Sequence, residues 1–355
     1  MNDSLSVTGP RSVVTTLING LPFVLDYPES RENPENYLLN TVGLLDLSGR
    51  SRLFLSGTDA KRFLHGQVTN DINRLNHGQG CYAALVTAKG KMQSDLYIYQ
   101  MEEGLLLDFE PGYSSTVQER LEKYIIAEDV QITNLAEHYA LFSLQGPEAE
   151  KAFTTLGANL PQKYLEHLKL NHPVMGECYL MAHPRTKVPG FDLFVPAERR
   201  NQTWDYLLQV IRPFKGLPVG WRGLELCRIM AGIPRFGQDL DESNLAPESN
   251  RTHEMISYNK GCYIGQEVIA RIRTYGQVAK SLRMMLLPDS LLQLPPKGTR
   301  LLKEDKEVGW ITSAAALPGK SARALGFVRK ECNQPGTGLT FNLDLKSHPI
   351  IIAEA

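Results

Sequence analysis

Residues Asn259–Glu267 read NKGCYIGQE, with Arg271 and Arg273 a few positions on. Cys262 is the one group in this stretch able to act as a nucleophile or a soft ligand, and it does so only as the thiolate. Lys260, Arg271 and Arg273 offer a positive environment that would favour that form. Gly265 permits a turn into a helix over QEVIARI, whose N-terminus would also favour an anion. Gly261 and Gly265 leave room on both sides of the thiol, and Tyr263, Gln266 and Glu267 complete the motif. Against this stands the ordinary behaviour of free cysteine, which is among the most commonly buried residues and usually inert. Cys81, Cys178 and Cys227 lie in apolar strand or helix text and fit that packing role. With Cys332 the cysteines number five, widely spread and without a Cys-x-x-Cys pair, which argues against a disulfide framework and a local zinc site.

Other reactive patterns fail on spacing. Leu317–Ser321 contains Gly-Lys-Ser, but a phosphate loop needs glycine at 314, where alanine stands. There is no Gly-x-Gly-x-x-Gly dinucleotide turn and no Gly-x-Ser-x-Gly elbow. The eight histidines are scattered. His65, at the end of its helix, is accounted for by helix-end hydrogen bonding.

The elements that must position these residues follow from hydrophobic periodicity. The 355 residues, 42% apolar and 22% charged, imply a globular chain of two or three domains. A net charge of −1 gives no electrostatic footprint for nucleic acid or an anionic membrane. No apolar run reaches the ~20 residues needed to span a bilayer. The N-terminal text has neither signal nor transit character, so a cytoplasmic protein is expected. Residues 1–36 are expected to be an extended, poorly packed lead-in.

Strand text at Arg52–Gly57 then runs into a helix with Ala60, Phe63 and Leu64 on one face and Thr58 as N-cap. Tyr139–Gly157 repeats this 89 residues later, with Pro147 expected at the first helical position and Ala149, Phe153 and Leu156 inward. Each copy continues with strands and a second helix. The first of these helices carries a Ser115-x-x-Gln118 capping box and the stripe Val117, Leu121, Tyr124, Ile125; the second carries Trp204, Leu207, Leu208 and Ile211. The expectation is an α+β fold of two ferredoxin-like modules, about 37–137 and 138–275. Short strands separated by turn signals make residues 276–355 a small antiparallel β-barrel.

Gly43–Ile72 (GLLDLSGRSRLFLSGTDAKRFLHGQVTNDI) resembles the folate-binding family that includes the glycine cleavage T-protein. The likeness continues through KGKMQSDLYIY, GFDLFVP, CRIMAGIPRFGQDLDESNLAPES, VGWITSAAALPG and ALGFVRK, covering roughly residues 40–330 in order. Within that family KGCYIGQE, followed by an arginine, looks like the signature of the YgfZ branch, which is implicated in iron–sulfur protein assembly or repair and, in bacteria, in tRNA methylthiolation. The resemblance implies three domains around a central folate channel, with tetrahydrofolate or a derivative as cofactor and no stable metal. It implies iron–sulfur assembly proteins or client enzymes as partners, no direct nucleic-acid or membrane contact, and a monomer.

Several site residues follow from it. Asp192, in Gly190-Phe191-Asp192, matches the T-protein glutamate thought to accept two hydrogen bonds from the pterin edge. Arg228 matches a family arginine and is expected to pair with Asp192 or with a substrate carboxylate. Tyr82 and Tyr113 are candidates to stack on the ligand's rings. T-proteins carry Asp-Asp where this chain has Ser94-Asp95, so Asp95 keeps half of the proton-transfer pair. The T-protein's asparagine-containing strand is replaced by Leu107-Asp108-Phe109. Those losses favour folate binding for another purpose, carried by Cys262, over aminomethyl transfer; the T-protein type of aminomethyltransferase or demethylase is the alternative. One cysteine cannot hold a cluster alone, so transient ligation or redox exchange is implied.

Overall fold

The computed structural model describes residues 12–157, 159–276 and 278–354. The chain begins with a hairpin, β1 (Val14–Ile18) and β2 (Leu21–Asp26), then helix α1 (Pro34–Asn40). The first module comprises β3 (Gly43–Asp46), β4 (Ser51–Ser56), α2 (Ala60–Gln67), β5 (Gly80–Val86), β6 (Met92–Gln100), β7 (Leu105–Phe109), α3 (Ser114–Glu122) and β8 (Gln131–Asn134). The second comprises β9 (Tyr139–Gln145), α4 (Ala149–Thr154), β10 (His167–His172), β11 (Gly176–Ala182), β12 (Gly190–Pro196), α5 (Arg200–Ile211) and β13 (Leu217–Pro218). Helices α6 (Trp221–Met230), α7 (Thr252–Met255) and α8 (Gln266–Tyr275) lead to β14 (Lys280–Leu286), β15 (Arg300–Lys303), β16 (Lys306–Leu317), β17 (Lys320–Arg329), β18 (Gly338–Leu343) and β19 (Lys346–Ile352).

The two copies form two sheets, ordered β5-β6-β7-β4-β8 and β10-β11-β12-β9-β3-β13. One strand crosses between them: β3 precedes β4 in the chain but pairs with β9 of the second module, while β8 stays with β4 in the first. Five and six strands, with β3 crossing into the second sheet, go beyond the four-stranded ferredoxin-like modules expected. The repeated turn is real. Gly57 and Gly146 both adopt positive φ (105° and 134°), and a Cβ on either would sit 2.2 or 2.3 Å from a backbone carbonyl oxygen, of Asp129 and Thr41 respectively.

Alternation along the strands sorts the side chains into three layers. Leu53, Leu55, Leu96 and Ile98 face outward onto Phe63, Leu64, Val117 and Leu121 of α2 and α3. Phe142, Leu144 and Leu193 do the same against Phe153, Leu207 and Ile211 of α4 and α5. The inner faces meet each other and α6 through Tyr82, Tyr99, Leu106, Met181, Phe194 and Trp221. Strands buried on both faces explain why their text is nearly continuously apolar.

Three local expectations are corrected. Thr58 is not the N-cap of α2; its amide and hydroxyl both bond Asp129, at 2.9 Å, and Asp59 takes the cap position without a side-chain bond. No capping box starts α3, where Tyr113 holds the cap position and Tyr124 and Ile125 lie past the helix end. Pro147 sits in the turn before α4 rather than in its first position.

The lead-in also packs more closely than its proline-rich text suggests. Phe23 is buried with its ring 4.7 Å from Trp221, and Asp26 pairs with Arg222 at 2.7 Å. The C-terminal expectation of an antiparallel barrel is met: β14-β17-β16-β15-β18-β19 closes through Met285 opposite Ile352. Leu317–Ser321 is the β16–β17 hairpin turn, with Gly319 at φ 68°.

Candidate functional site

The inward positions of the two sheets carry charge as well as aromatic surface. Asp95 on β6 is buried and accepts a 2.7 Å hydrogen bond from the Tyr82 hydroxyl. Tyr82 stacks on Tyr97 at 4.8 Å, Tyr97 meets His183 at 4.2 Å, and the Arg251 guanidinium lies over Tyr82 at 4.0 Å. Arg251 also reaches the Tyr97 and Tyr164 hydroxyls, at 3.4 Å each, and pairs with Glu254 at 2.5 Å. Burial, reinforced by Glu110, pushes the Asp95 carboxyl up to about 6 despite the Tyr82 hydrogen bond. Asp95 therefore changes protonation state close to neutral pH, as a proton-transfer or switchable acceptor group requires.

Beside it runs a buried chain of alternating charges. His183 lies 3.0 Å from Asp192; Arg185 bonds Asp192 at 2.6 Å and Asp108 at 2.9 Å. Arg50 bridges Asp108 (2.9 Å) to Glu110 (2.7 Å), and Arg235 bridges Glu110 to Glu225, both at 2.9 Å. Arg228 joins Glu225 (2.8 Å) to Asp239, which accepts from Thr312 and Ser313 of the barrel at 2.6 Å each. Burial opposes charging of Asp192, but Arg185 and His183 outweigh it and hold the carboxyl well below the usual range. His183 is pushed down to about 4 by burial and then by Arg185, so at neutral pH it is an uncharged donor to Asp192. Asp108, His183 and Asp192 bring potential ligand atoms within 4.8 Å of one another, and Arg185 supplies the positive charge between the carboxylates.

Two expectations change here. Asp192 is fully buried with both oxygens engaged by Arg185, so its carboxylate is not open to a pterin edge without Arg185 moving. Arg228 pairs with Glu225 and Asp239 rather than with Asp192, because α6 aims it at the barrel. Tyr82 does line the Asp95 cluster, whereas Tyr113 is half-buried edge-on to Phe236, at 5.3 Å. The residues that periodicity missed are Arg50, Asp108, Arg185, His183 and Arg251. Their signal was available for Asp108, an acid inside the wholly apolar strand LLLDF.

The thiol lies elsewhere. Cys262 is exposed, unlike the half-buried Cys81 and the buried Cys178, Cys227 and Cys332. Its loop is pinned to the C-terminal end of α2. The Lys260 ammonium donates to the carbonyls of His65 (2.5 Å), Val68 (2.7 Å) and Asn70 (2.8 Å), and the Ile264 amide donates to Gly66 at 3.0 Å. Burial pushes Lys260 down to about 8. His65 Nε2 lies 3.6 Å from where a Cβ on Gly261 would stand, on the same side as the loop.

The three cations expected beside the thiol have other partners. Lys260 is turned inward, Arg271 pairs with Glu267 at 3.0 Å, and Arg273 lies over Tyr258 at 4.2 Å. Gly265, at φ 83°, does start α8 as expected, with Gln266 and Glu267 in its first turn and Tyr263 buried beneath the loop.

Two largely antiparallel sheets, with β3 crossing from the first module into the second sheet, a closed barrel and an acid–aromatic cluster between the sheets make up the architecture. The GCVT N-terminal domain family matches residues 28–252, more than half of the chain, and the chain belongs to that family. A chloroplastic Arabidopsis thaliana protein named provisionally as a transferase is 29% identical over 86% of this chain and 69% of its own length. The aminomethyltransferase of Desulforamulus reducens is 27% identical over 88% of this chain and 84% of its own. The glycine cleavage system aminomethyltransferase T of Bartonella henselae superposes with a TM-score of 0.86 at 19% identity, covering 96% of this chain and 93% of that one, which establishes the shared fold. No helix among the described residues is long and apolar enough to cross a membrane.

Proposed function

We propose that this protein is a tetrahydrofolate-binding member of the family, similar to the YgfZ branch, that supports iron–sulfur cluster assembly or repair through Cys262. The observation that carries this reading is the presentation of one exposed thiol on a loop pinned by four hydrogen bonds to the end of α2 and the residues just past it, while the other four cysteines are withdrawn. Such a thiol is free to ligate iron transiently with a partner or to exchange with a disulfide, and a single ligand does not retain a cluster. Its partners in this reading are assembly proteins or client iron–sulfur enzymes, tRNA-modifying ones included, met in the cytoplasm by a monomer.

Folate fits the Asp95 cluster on chemical grounds. Tyr82 and Tyr97 offer stacking surface, and Asp95, once ionised, accepts from a ring N–H. A second reading, folate-dependent aminomethyl transfer, is favoured by the same carboxyl, because a group that titrates near 6 can move a proton at the folate nitrogen.

The two readings separate by experiment. The purified protein should bind tetrahydrofolate saturably, and Cys262→Ser should leave that binding intact while lowering the activity of cluster-dependent enzymes in cells. Asp192→Ala should weaken binding by disturbing Arg185 and the cluster beside it. Unaffected cluster enzymes, together with glycine cleavage by the purified protein and a lipoyl carrier, would establish the transferase instead.

A further inference from the structure

Arg283, on β14, has no carboxylate partner among the described residues. Its Nε donates to the Asn333 carbonyl at 3.0 Å and its Nη1 to Asn250 Oδ1 at 2.8 Å, so two neutral groups fix the guanidinium without neutralising it. The bond to Asn250 is exposed to solvent. Nη2 has no acceptor among the described residues, and it is not closed off by burial. Burial of the side chain behind it pushes the Arg283 pKa down, the direction a bound anion would reverse. A positioned guanidinium with a free, reachable nitrogen is a ready seat for an oxyanion.

Arg283 lines an open groove of about 610 Å³ between β14, α7 and the turns on either side of α7. None of the lining residues is acidic, and the neighbouring Glu254 is taken by Arg251 at 2.5 Å. Other donors stand beside the guanidinium. Asn250 gives its Oδ1 to Arg283, which leaves its amide N–H groups free to donate. Ser281, on the same face of β14, accepts from Asn333 Nδ2 at 3.3 Å and keeps its own proton to give. The remaining wall is apolar: Pro247, Ile256 and the Tyr258 ring, backed by the Arg273 guanidinium at 4.2 Å. Because Nε is spent on Asn333, the side-on fork that suits a carboxylate is blocked. A tetrahedral oxyanion instead accepts singly from Nη2, Asn250 and Ser281. The groove is far larger than an ion and suits a small organic molecule.

We infer that this groove is a second small-molecule site, separate from the Asp95 cluster, for a phosphate monoester with an apolar or aromatic body. The phosphoryl group is taken by Arg283, Asn250 and Ser281, and the body lies on Pro247, Ile256 and Tyr258. Neither folate nor the Cys262 thiol takes part in it.

The test is calorimetry on the full chain with three probes: phenyl phosphate, inorganic phosphate and benzoate. Phenyl phosphate should bind saturably, at least about tenfold tighter than either of the others. Asn250→Asp changes one exposed side chain to its isostere, at a left-handed position that both residues accept, and sets a carboxylate against Arg283. It should weaken phenyl phosphate by at least about tenfold. Arg283→Gln should abolish phenyl phosphate binding, and the Asn250 variant keeps the test decisive if Arg283→Gln does not fold. The proposal is overturned by no saturable binding of phenyl phosphate at millimolar concentration, by inorganic phosphate or benzoate binding as tightly, or by unchanged affinity in Asn250→Asp. Displacement of phenyl phosphate by tetrahydrofolate would likewise overturn it, by assigning the groove to the folate site.

Discussion

Asp95 sits where desolvation and the nearby Glu110 charge disfavour ionisation while a tyrosine hydroxyl supports it, and the balance leaves its pKa at about 6. An acceptor for a pterin N–H must be ionised, so tetrahydrofolate affinity is expected to rise as pH increases through about 6 and to level off above it. Asp95→Asn should flatten that profile and weaken binding by about 10- to 100-fold, the worth of a charge-assisted hydrogen bond. Titrations at about pH 5, 6, 7 and 8 check it; an unchanged profile in the variant would place the acceptor elsewhere. Arg185 already occupies both oxygens of Asp192, the carboxylate that the family resemblance assigned to the ligand, which leaves Asp95 as the acceptor.

At the scale of an element, the loop from Lys260 to Gly265 is rigid because both of its ends are tied. Lys260 takes the His65 carbonyl in the last turn of α2 and those of Val68 and Asn70 just past it, a job that water or a capping residue does elsewhere. Gly265 adopts φ 83°, and a Cβ there would stand 2.5 Å from the Thr87 carbonyl oxygen. Gly265→Ala should therefore destabilise the protein by about 1–3 kcal/mol, combining left-handed strain with a backbone clash. The Cys262 thiol should then react faster with a bulky disulfide reagent, as the loop loosens. Equal stability and equal thiol reactivity in the variant would show that the turn is not what holds the loop.

Across the whole molecule, nine ionised side chains from Asp192 to Asp239 link the second module, the first module, α6 and the barrel into one buried network. Breaking any member leaves its neighbours as uncompensated buried charges, which makes the assembly cooperative. The pH dependence of stability follows from the groups beside it. His183 and His167 are both depressed to about 4, chiefly by burial, so their contribution is present above the unfolded value of 6.5 and is lost as pH falls toward 4. Asp95 is raised and acts in the opposite sense, since the native state holds its proton up to about 6. His65 and His172 shift in the same direction, so unfolding takes up more protons than Asp95 releases, and stability should climb with pH between roughly pH 4.5 and 6, on the order of 1 kcal/mol per pH unit. Urea midpoints across that window measure it, and a flat or falling trend would contradict the assignment of both histidines as buried and neutral.

How much of this was legible before folding depends on the range of the interaction. Periodicity and turn residues are local, so the duplicated strand–glycine–helix units, the apolar faces of α2 and α5 and the barrel strands followed from text alone. The KGCYIGQE loop stood out for the same reason, as did Gly265 at the start of its helix. Local text misled where a longer-range partner outbid the local one: Asp129 took Thr58 from the helix cap, and Trp221 drew Phe23 into the core. The pairing of β3 with β9 was invisible, because strand pairing joins distant residues, such as Gly43 and Gln145, with no sign in either strand. Electrostatic pairing was equally hidden. The sequence by itself determined that Asp192, Arg228, Lys260 and Cys262 were present in suitable text. Only the tertiary structure decided that Arg185 would occupy Asp192, that Lys260 would turn to the end of α2, and that Cys262 alone among the cysteines would face solvent, since which charge meets which is settled by strands and helices far apart in the chain.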